Sequence, residues 1–576
     1  MSNLIFVCGR DPRQAPAETE LRRVADRITP APLAGPPHQV ALGPGLGLCL
    51  TGPAGAAAME GTSARLGALA GTWTDWHRPG SPAPDGTYAL VRAGGEGVEL
   101  RSDALGSRTL WYVLTETRFL ASTSQRALAC LLGGLDLDRA ALAWFLSGGN
   151  LGPTAAWDRR IRRLPGNAAL RLDRAAWTLD LRAEAPPEIR PEPMGARACE
   201  EELLRILRAA FRRYDFTTAR WALPLSGGCD SRFILAMLVE AGWKPPAITW
   251  GLAASLDQPG NDAYVARKLA AHFGLEHDYL LTDPTAEVPP AEVVDRFLAA
   301  SGGTTDQLFP YLDGLRMWAS FAERGIDGMI RGDEAFGYVS AGTEAHARTC
   351  VGLMPPEDIL GPRLTEAIVG TPQPLPETLA RRPEESVATY RDRLYQGFRV
   401  PVGLAALNDV KAPFVEIASP LLSRDVLAFV RRMPDALRTD KAAFGRVARR
   451  LGPSLPYATS AADDGRDGYL GSQAYRGWLG AELDSPTLAE LLPADWRAEL
   501  RAHLAEAPLA PDSVRSARAT LKRVIPTSWV RAVRARMKPV RPSRRHLALR
   551  AALAGRMVDL LCEDARTLDP ARQGER

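Results

Sequence analysis

Short apolar runs separated by turn residues dominate the first part of the chain. Strings such as GTYALVR, GVELRSD, RTLWYVL and RFLAST are rich in β-branched and aromatic residues and lie between Gly, Pro and Asp. This pattern is typical of β-strands joined by turns. The segment from Ala183 to Ala196 then interrupts all periodicity with four prolines. We therefore expect a β-rich domain over residues 1–182 and a linker over residues 183–196.

Beyond the linker, strand-like and helix-like segments alternate. WALPLS precedes SRFILAMLVEAG, PAITWG precedes NDAYVARKLAAHFG, and GIDGMI precedes RGDEAFGY. Such alternation predicts a parallel sheet covered by helices, so the expected fold class is α/β. We place this second domain at residues 197–480 and a helical, basic extension at residues 481–576.

The extension has an unusual charge pattern. The segment from Ser513 to Arg550 carries twelve Arg or Lys residues and no acid. We interpret it as a solvated basic surface in preference to a nucleic-acid site, because charge runs are commonly just surface. A docking face for an acidic peptide or partner is the alternative.

Composition narrows the class of protein. The 576 residues are too many for one hydrophobic core, and 46% hydrophobic with 24% charged residues is an ordinary globular balance. The seven cysteines are scattered without metal-ligand spacing. No run of 18 apolar residues and no basic leader region occurs. We expect a cytoplasmic protein without a membrane partner.

The chemistry is concentrated in the string LSGGCDS, from Leu225 to Ser231, between a predicted strand and a predicted helix. Paired glycines let the backbone approach a phosphate, and serine hydroxyls with helix N–H groups can donate to its oxygens. A capped helix after a flexible glycine pair is the plainer interpretation. Because the whole string coincides with a strand, a loop and a helix, we predict a phosphate-binding site at the carboxyl end of a parallel strand.

This string resembles the pyrophosphate-binding PP-loop of the N-type ATP pyrophosphatases, which cleave ATP between the α and β phosphates. A second string, RGDEAFGY from Arg331 to Tyr338, resembles the GxDExFGGY stretch of asparagine synthetases with one glycine fewer. The resemblance implies Mg²⁺ ligation by Asp230 and Asp333, and carboxylates suit that ion. It also implies ATP or pyrophosphate contacts at Leu225, Ser226, Gly227, Gly228, Asp230, Ser231, Thr249, Gly251, Gly332 and Glu334.

A third string, KAPFVEIASP from Lys411 to Pro420, resembles the RxPFLD segment of asparagine and β-lactam synthetases. In β-lactam synthetases a Tyr–Glu dyad deprotonates the attacking amine, and the resemblance implies Tyr338 and Glu416 for that role. A carboxylate beside a phenol is suited to removing a proton from an α-ammonium group. The alternative is that Glu416 is buried and paired with Lys411.

Two further basic residues are catalytic candidates by the same resemblance. RTDKAAFGRVARRL places Lys441 on the lysine of the family's KxxLRxA helix. The family's other lysine has no counterpart in LPYATSAADDGRDGY. Either Arg466 substitutes for it, or Lys441 performs both tasks.

The N-terminal region resembles the class II glutamine amidotransferase domain, which implies an Ntn-type αββα fold. DGTYAL, SDALGSRTLWYV, FLASTSQRAL and RRLPGNAALRL follow that domain's order, and with the later strings the resemblance covers most of residues 1–470. A working glutaminase has cysteine as its first mature residue, whereas here Ser2 follows Met1 and the nearest cysteine is Cys8. We therefore expect a glutaminase-inactive domain.

The N-type ATP pyrophosphatases form adenylates, so the resemblance implies an acyl-adenylate, and without ammonia from glutamine a different amine must capture it. LPLSGGCDSRFIL and DQLFPYLDGLRMW resemble lasso peptide cyclases, which implies macrolactam formation with ATP and Mg²⁺ on a ribosomal precursor peptide. That hypothesis adds a transglutaminase-like leader peptidase and a leader-recognition protein as partners, and no nucleic acid. An asparagine synthetase-like amide ligase and a β-lactam synthetase are the alternatives. A pseudoenzyme and a tRNA-modifying PP-loop enzyme are the rivals from other classes.

Overall fold

The computed structural model describes residues 3–13, 16–30, 37–52, 57–94, 97–183, 188–285, 287–463, 472–505 and 541–569. Within them lie three β-sheets. The strands of the N-terminal half are β1 Leu4–Gly9, β2 Gln39–Gly43, β3 Leu46–Leu50, β4 Ala58–Glu60, β5 Ser63–Ala70, β6 Asp85–Gly94, β7 Gly97–Ser102, β8 Trp111–Leu114, β9 Arg118–Ser122, β10 Arg162–Arg163, β11 Ala168–Asp173 and β12 Thr178–Ala183. Those of the C-terminal half are β13 Trp221–Pro224, β14 Ala247–Gly251, β15 His277–Leu281, β16 Gly328–Ile330 and β17 Glu416–Ala418.

The α-helices of the described residues are unevenly divided between the two halves of the chain. The N-terminal half has α1 Glu18–Ile28, α2 Gln125–Leu132 and α3 Arg139–Gly148. The C-terminal half has α4 Ala196–Arg212, α5 Cys229–Glu240, α6 Asp262–Phe273, α7 Pro290–Ser301, α8 Arg316–Glu323, α9 Glu344–Cys350, α10 Pro356–Ile359, α11 Pro362–Val369, α12 Val387–Leu394, α13 Ala405–Lys411, α14 Arg424–Arg432, α15 Asp435–Arg438, α16 Ala442–Leu451, α17 Gln473–Leu483, α18 Pro486–Leu491, α19 Ala494–Ala505 and α20 Arg544–Ala565. A π-helical segment, Tyr395–Leu404, leads into α13.

Two antiparallel six-stranded sheets form the N-terminal domain, in the orders β10-β8-β9-β1-β3-β2 and β12-β11-β7-β6-β5-β4. Strand β1 shows why they stack. Its side chains alternate, so that Leu4 and Phe6 join the core between the sheets while Ile5 and Val7 pack with α1 and α2 on the outer side. The β-rich prediction is confirmed.

The Ntn-type αββα layering stays a prediction for this domain, whose described helices are α1, α2 and α3. All three N-terminal helices contribute to the core on the outer side of the first sheet. One end of the second sheet meets the C-terminal domain, where Ser419 N donates to Thr87 Oγ1 at 3.1 Å. At the same end, Ala68 and Ala70 of β5 join the core of that domain.

The C-terminal domain contains the predicted parallel sheet, in the order β15-β14-β13-β16-β17. The chain enters at β13, extends the sheet to one side through β14 and β15, and then returns to the other side at β16. The carboxyl ends of β13 and β16 therefore border the point where the strand order reverses, which is where ligands bind in open α/β sheets. The linker runs from the end of β12 at Ala183 to the start of α4 at Ala196.

The predicted basic surface can be compared with the structure only at its end, where Arg541 and Arg544 are exposed and Arg550 is not. Most of the segment from Ser513 to Arg550 lies outside the described residues, but its end forms the start of α20. There Arg550 is buried and its Nε donates to Asp306 Oδ2 at 2.7 Å. Helix α20 packs against α2 and α3 of the N-terminal domain and against α7, α17, α18 and α19. The helical unit around α20 begins with α17, somewhat earlier than residue 481.

Two ion pairs fasten α20 to the N-terminal domain. Asp564, fully buried, accepts from Arg126 Nε at 2.7 Å and from Arg126 Nη2 at 2.9 Å. Arg27 Nε donates to the same carboxylate at 2.7 Å. We call Arg27, Arg126 and Asp564 the C-terminal clamp. No helix in the described part of the chain is long and apolar enough to cross a bilayer.

Candidate functional site

The loop between β13 and α5 has the form of a phosphate cradle. Ser226 and Ser231 bring their hydroxyl oxygens to 2.9 Å, and Gly228 N donates to Ser226 Oγ at 3.2 Å. At Gly227 a Cβ would lie 2.5 Å from the Cβ of Ala458. Glycine is therefore required there by close approach of the next segment, while the twelve-residue helix α5 points its N-terminus at the same space.

A cavity of about 280 Å³ opens beside this loop. Its lining combines the ends of β13 and β14 with the start of the segment after β16. The residues are Pro224, Leu225, Ser226, Asp230, Ser231, Ile248, Thr249, Trp250, Asp262, Arg331, Gly332, Asp333, Ala462 and Asp463. The cavity therefore brings together most of the residues predicted to contact ATP, from strings more than 100 residues apart.

Thr249 and Gly251 contribute to this region in different ways. Thr249 Oγ1 donates to Leu225 O at 2.6 Å, which ties the end of β14 to the phosphate loop. A Cβ at Gly251 would lie 2.5 Å from the Cβ of Ala462. The glycine therefore leaves room for Ala462, which lines the cavity. Both residues shape the cavity, and Thr249 also lines it.

The segment after β16 supplies the second carboxylate. Asp333 is buried; Arg331 Nη2 lies 3.3 Å from its Oδ1, and Asn408 Nδ2 donates to its Oδ2 at 3.0 Å. Burial by itself would raise the pKa of Asp333, but positive charge led by Arg331, together with the Asn408 amide, holds it below the ordinary value. The side chain is therefore an anion at neutral pH. A Cβ at Gly332 would lie 2.9 Å from the Cβ of Asp230, so the two strings are in close contact.

Lys441 joins the two motifs. Its Nζ lies 2.8 Å from Asp230 Oδ2 and 2.9 Å from Glu334 Oε1. Burial alone would lower the pKa of Lys441, but the carboxylates of Glu334 and Asp230 raise it above its ordinary value. Burial raises the pKa of Glu334 to about 7, against the opposing charge of Lys441. The lysine is therefore a fixed cation at the edge of the cavity.

Asp230 fits a Mg²⁺ ion through a free carboxylate oxygen, and Asp333 supplies a second carboxylate, whose oxygens accept from Arg331 and Asn408. Asp230 Oδ1 is buried and has no hydrogen-bond partner, although Oδ2 is paired with Lys441. An orphaned carboxylate oxygen next to a phosphate cradle is suited to a hard cation that takes its other ligands from water and phosphate. Among the described residues no group of three or more His, Cys, Asp or Glu side chains is placed to hold a metal.

The structure separates the predicted dyad of Tyr338 and Glu416. Glu416 starts β17 and pairs with Gly328, at the amino ends of the strands, whereas Asp333 follows their carboxyl ends. Glu416 is fully buried, and its Oε1 lies 3.5 Å from Arg108 Nη2 of the N-terminal domain. It is therefore part of the domain interface and does not face the site. The alternative pairing with Lys411 is not observed either, since Lys411 Nζ donates to Leu407 O.

Tyr338 has other neighbours. Its ring lies 4.8 Å from that of Tyr395, between centroids, and the guanidinium of Arg399 lies 5.4 Å from its ring centroid. Its backbone N–H donates to Asp392 Oδ1 at 3.1 Å. The remaining catalytic candidate, Arg466, lies outside the described residues.

Sequence reasoning missed two residues that shape the cradle. Asp262 Oδ1 accepts from Gly227 N at 3.0 Å and lines the cavity. Arg232 donates to the carbonyls of Leu455 at 2.8 Å and Pro456 at 2.9 Å, which holds the segment carrying Ala458 against the loop. Asp262 directly follows the Asn that caps α6. Its position at the start of a predicted helix was the only sequence signal for its role.

A phosphate cradle at the strand-order reversal of a parallel sheet defines an α/β nucleotide-binding domain. Within it, the asparagine synthase family model matches residues 202–386. This match supports an ATP-dependent enzyme of the asparagine synthetase superfamily.

Curated relatives match shorter stretches. The chain is 36% identical over 92 residues to the tRNA-cytidine(32) 2-sulfurtransferase of Cereibacter sphaeroides, covering 15% of this chain and 32% of the relative. It is 36% identical over 115 residues to the enzyme of the same name from Paracoccus denitrificans, covering 18% and 38%. The chain thus spans about a third of the length of these relatives. Among solved structures, the NMN synthetase from Francisella tularensis matches with a TM-score of 0.16 and 18% identity, over 25% of this chain and 57% of that chain.

Proposed function

We propose that the protein is an AMP-forming amide ligase that closes a macrolactam in a peptide. In this reaction an Asp or Glu side chain of the peptide is adenylated and the peptide's N-terminal amine captures it. The observation that carries the proposal is the convergence of the serine–glycine loop and two carboxylates on one cavity, with Lys441 paired to Asp230 at its edge. The asparagine synthase match supports the ATP-dependent part of this statement.

The first step is attack of the substrate carboxylate oxygen on the α-phosphorus of ATP. A new P–O bond forms, the bond to the bridging oxygen of the β-phosphate breaks, and pyrophosphate leaves. Ser226, Ser231 and the N-terminus of α5 are placed to donate hydrogen bonds to that leaving group. Lys441 supplies a fixed positive charge beside them, which stabilises the charge that develops in the transition state.

The second step is capture of the acyl-adenylate. The amine nitrogen attacks the acyl carbon, AMP leaves with the electron pair of the C–O bond, and the amine loses a proton. Tyr338 remains the candidate for handling that proton, now without Glu416. Asp230 and Asp333 would hold Mg²⁺, which supplies charge neutralisation for the ATP phosphates when bound.

The state of Cys8 in the N-terminal domain favours an amine other than ammonia from glutamine. Its nearest cysteine to the start, Cys8, is fully buried in β1, and burial raises the pKa of its thiol. A buried thiol with a raised pKa is a poor nucleophile. An asparagine synthetase-like ligase using free ammonia and a β-lactam-type ring closure remain the alternatives. The partners proposed are a ribosomal precursor peptide, a transglutaminase-like leader peptidase and a leader-recognition protein.

Product analysis tests the proposal. The full chain is incubated with ATP, Mg²⁺ and either aspartate plus ammonia or a linear peptide with a free N-terminus and an internal Asp or Glu. We expect AMP and pyrophosphate together with a peptide product lighter by one water. ADP and phosphate as products would overturn the adenylation mechanism. Asparagine formation with no peptide product would replace the macrolactam proposal by the first alternative, and glutamate release from glutamine would show that the N-terminal domain is a working glutaminase.

A further inference from the structure

Helix α13 connects the candidate metal site with the N-terminal domain. It precedes β17 and lies beyond the π-helical segment Tyr395–Leu404. Two adjacent residues on it point to different partners: Asn408 toward Asp333, and Asp409 toward the N-terminal domain. Each contact is a hydrogen bond between side chains of distant segments.

The first contact fixes the carboxylate. Asn408 is 2% exposed and its Nδ2 donates to Asp333 Oδ2 at 3.0 Å, while its own Oδ1 is buried without a hydrogen-bond partner. A carboxylate oxygen only accepts, so the amide nitrogen must face it. This donor is neutral and orients one oxygen of Asp333, while the positive charge beside the carboxylate comes from Arg331, 3.3 Å from the other oxygen.

The second contact fixes the helix. Thr109 Oγ1 of the N-terminal domain donates to Asp409 Oδ2 at 2.8 Å. Arg163 of the same domain donates to the carbonyl of Pro401, in the π-helical segment, at 3.1 Å. Burial raises the pKa of Asp409 to about 6, opposed by the charges of Arg108 and Arg163. The N-terminal domain thus contacts this stretch at Pro401, before α13, and at Asp409, next to Asn408.

We propose that Asn408 is a positioning residue for Asp333 and that the N-terminal domain sets its place through Thr109 and Asp409. The inference rests on the proposed function only in taking Asp333 as a Mg²⁺ ligand. It gives the N-terminal domain a task that needs no glutaminase chemistry: to orient a metal-binding carboxylate of the other domain. Residues that orient metal ligands in this way typically contribute about 10- to 100-fold to metal affinity.

Nucleotide binding tests this without a peptide substrate. The affinity of the full chain for α,β-methylene-ATP is measured by calorimetry in EDTA and over a range of free Mg²⁺ concentrations. For Asn408→Leu we expect the Mg²⁺ concentration that gives half of the affinity gain to rise about 10- to 100-fold. The affinity in EDTA should equal that of the wild type, which general structural damage would not preserve.

Two threonine variants complete the test. Thr109→Val removes one hydrogen bond to α13 and should shift the Mg²⁺ dependence in the same direction by about two- to tenfold. Thr87→Val is the matched control, because it removes a buried interdomain hydrogen bond that ends on Ser419 and not on α13. It should leave the Mg²⁺ dependence unchanged.

The outcomes separate the two proposals. If the wild type itself binds the nucleotide without any dependence on Mg²⁺, the metal assignment within the proposed function fails. If the wild type shows the dependence and Asn408→Leu retains it, the positioning role is wrong. Should Asn408→Leu not fold, Thr109→Val decides: wild-type behaviour overturns the inference, and a shift absent from Thr87→Val supports it.

Discussion

Two buried clusters of charge in this protein are built from the same chemistry and differ in what they leave open. At the site, Lys441 bridges Asp230 and Glu334, and the side chains of Lys441 and Asp230 are each 30% exposed. In the C-terminal clamp, the side chains of Arg126 and Asp564 are 3% and 0% exposed. Asp230 keeps an unpartnered oxygen beside a cavity, whereas both oxygens of Asp564 accept from guanidinium groups.

This difference in unpaired carboxylate oxygens distinguishes a ligand-binding site from an ion pair that stabilises the fold. A fully satisfied, buried carboxylate has no capacity left for a ligand, and its removal leaves a buried cation unpaired. A carboxylate with an orphaned oxygen is less well satisfied in the empty protein and gains a partner when a ligand binds. We therefore expect substitutions at the site to change rates with little change in stability, and substitutions at the clamp to do the reverse.

The largest effect is expected at the two aspartates of the site. Asp230→Asn and Asp333→Asn should each slow ATP–pyrophosphate exchange by about 10³- to 10⁴-fold, because a lost metal ligand removes several kcal/mol of charge stabilisation. The urea midpoint of unfolding should stay close to that of the wild type. Asp257→Asn is the matched control, since Asp257 is exposed and pairs with Arg267. A variant at either site aspartate with near-normal exchange would remove that residue from the site.

The second largest effect is expected in the free energy of unfolding, when the C-terminal clamp is disrupted. Asp564→Ala should lower the free energy of unfolding by about 3–5 kcal/mol, because Arg126 is then buried without its partner. Urea denaturation measures this, and the KM for ATP of the folded fraction should be unchanged. Glu563→Ala, which removes the exposed neighbouring partner of Arg27, should have little effect. A normal midpoint for Asp564→Ala would show that the clamp does not stabilise the protein.

A smaller effect is expected from removing the cation of the site. Lys441→Met should slow pyrophosphate exchange by about 10²-fold, since one preorganised charge is lost from the transition state. Nucleotide binding in the presence of Mg²⁺ should be maintained or strengthened, because Asp230 loses its competing partner. Weaker binding with an unchanged maximal rate would instead assign Lys441 to ground-state binding.

Local strings predicted the site well where one segment of chain determines the geometry. The loop from Leu225 to Ser231 carries its own strand, turn and helix signals, and the prolines between Ala183 and Ala196 coincide with the linker. The alternation of strands and helices indicated the parallel sheet. The family resemblance singled out Lys441 as a catalytic candidate, and its Nζ lies 2.8 Å from Asp230 Oδ2.

Features that depend on where distant segments meet could not be predicted in this way. Glu416 lies within a string that matches the family. However, β17 is only three residues long and begins at Glu416, so the acid falls at the amino end of the strand, opposite the site. The basic pattern before Arg550 does not reveal that this arginine is buried beside Asp306. Asn408 and Asp262 carry no motif, because their roles come from contacts across the fold.

The clamp also has a consequence for how the chain is made. Arg126 and Asp564 are separated by 438 residues, so on a ribosome adding about 5–20 residues per second the partner of Arg126 is synthesised roughly 20–90 s later. During that interval the apolar faces of α2 and α3 that α20 will cover, including Leu128 and Leu142, lack their final partner. The N-terminal domain therefore completes its packing only after nearly the whole chain has been translated, and slow translation prolongs the period in which that surface can aggregate.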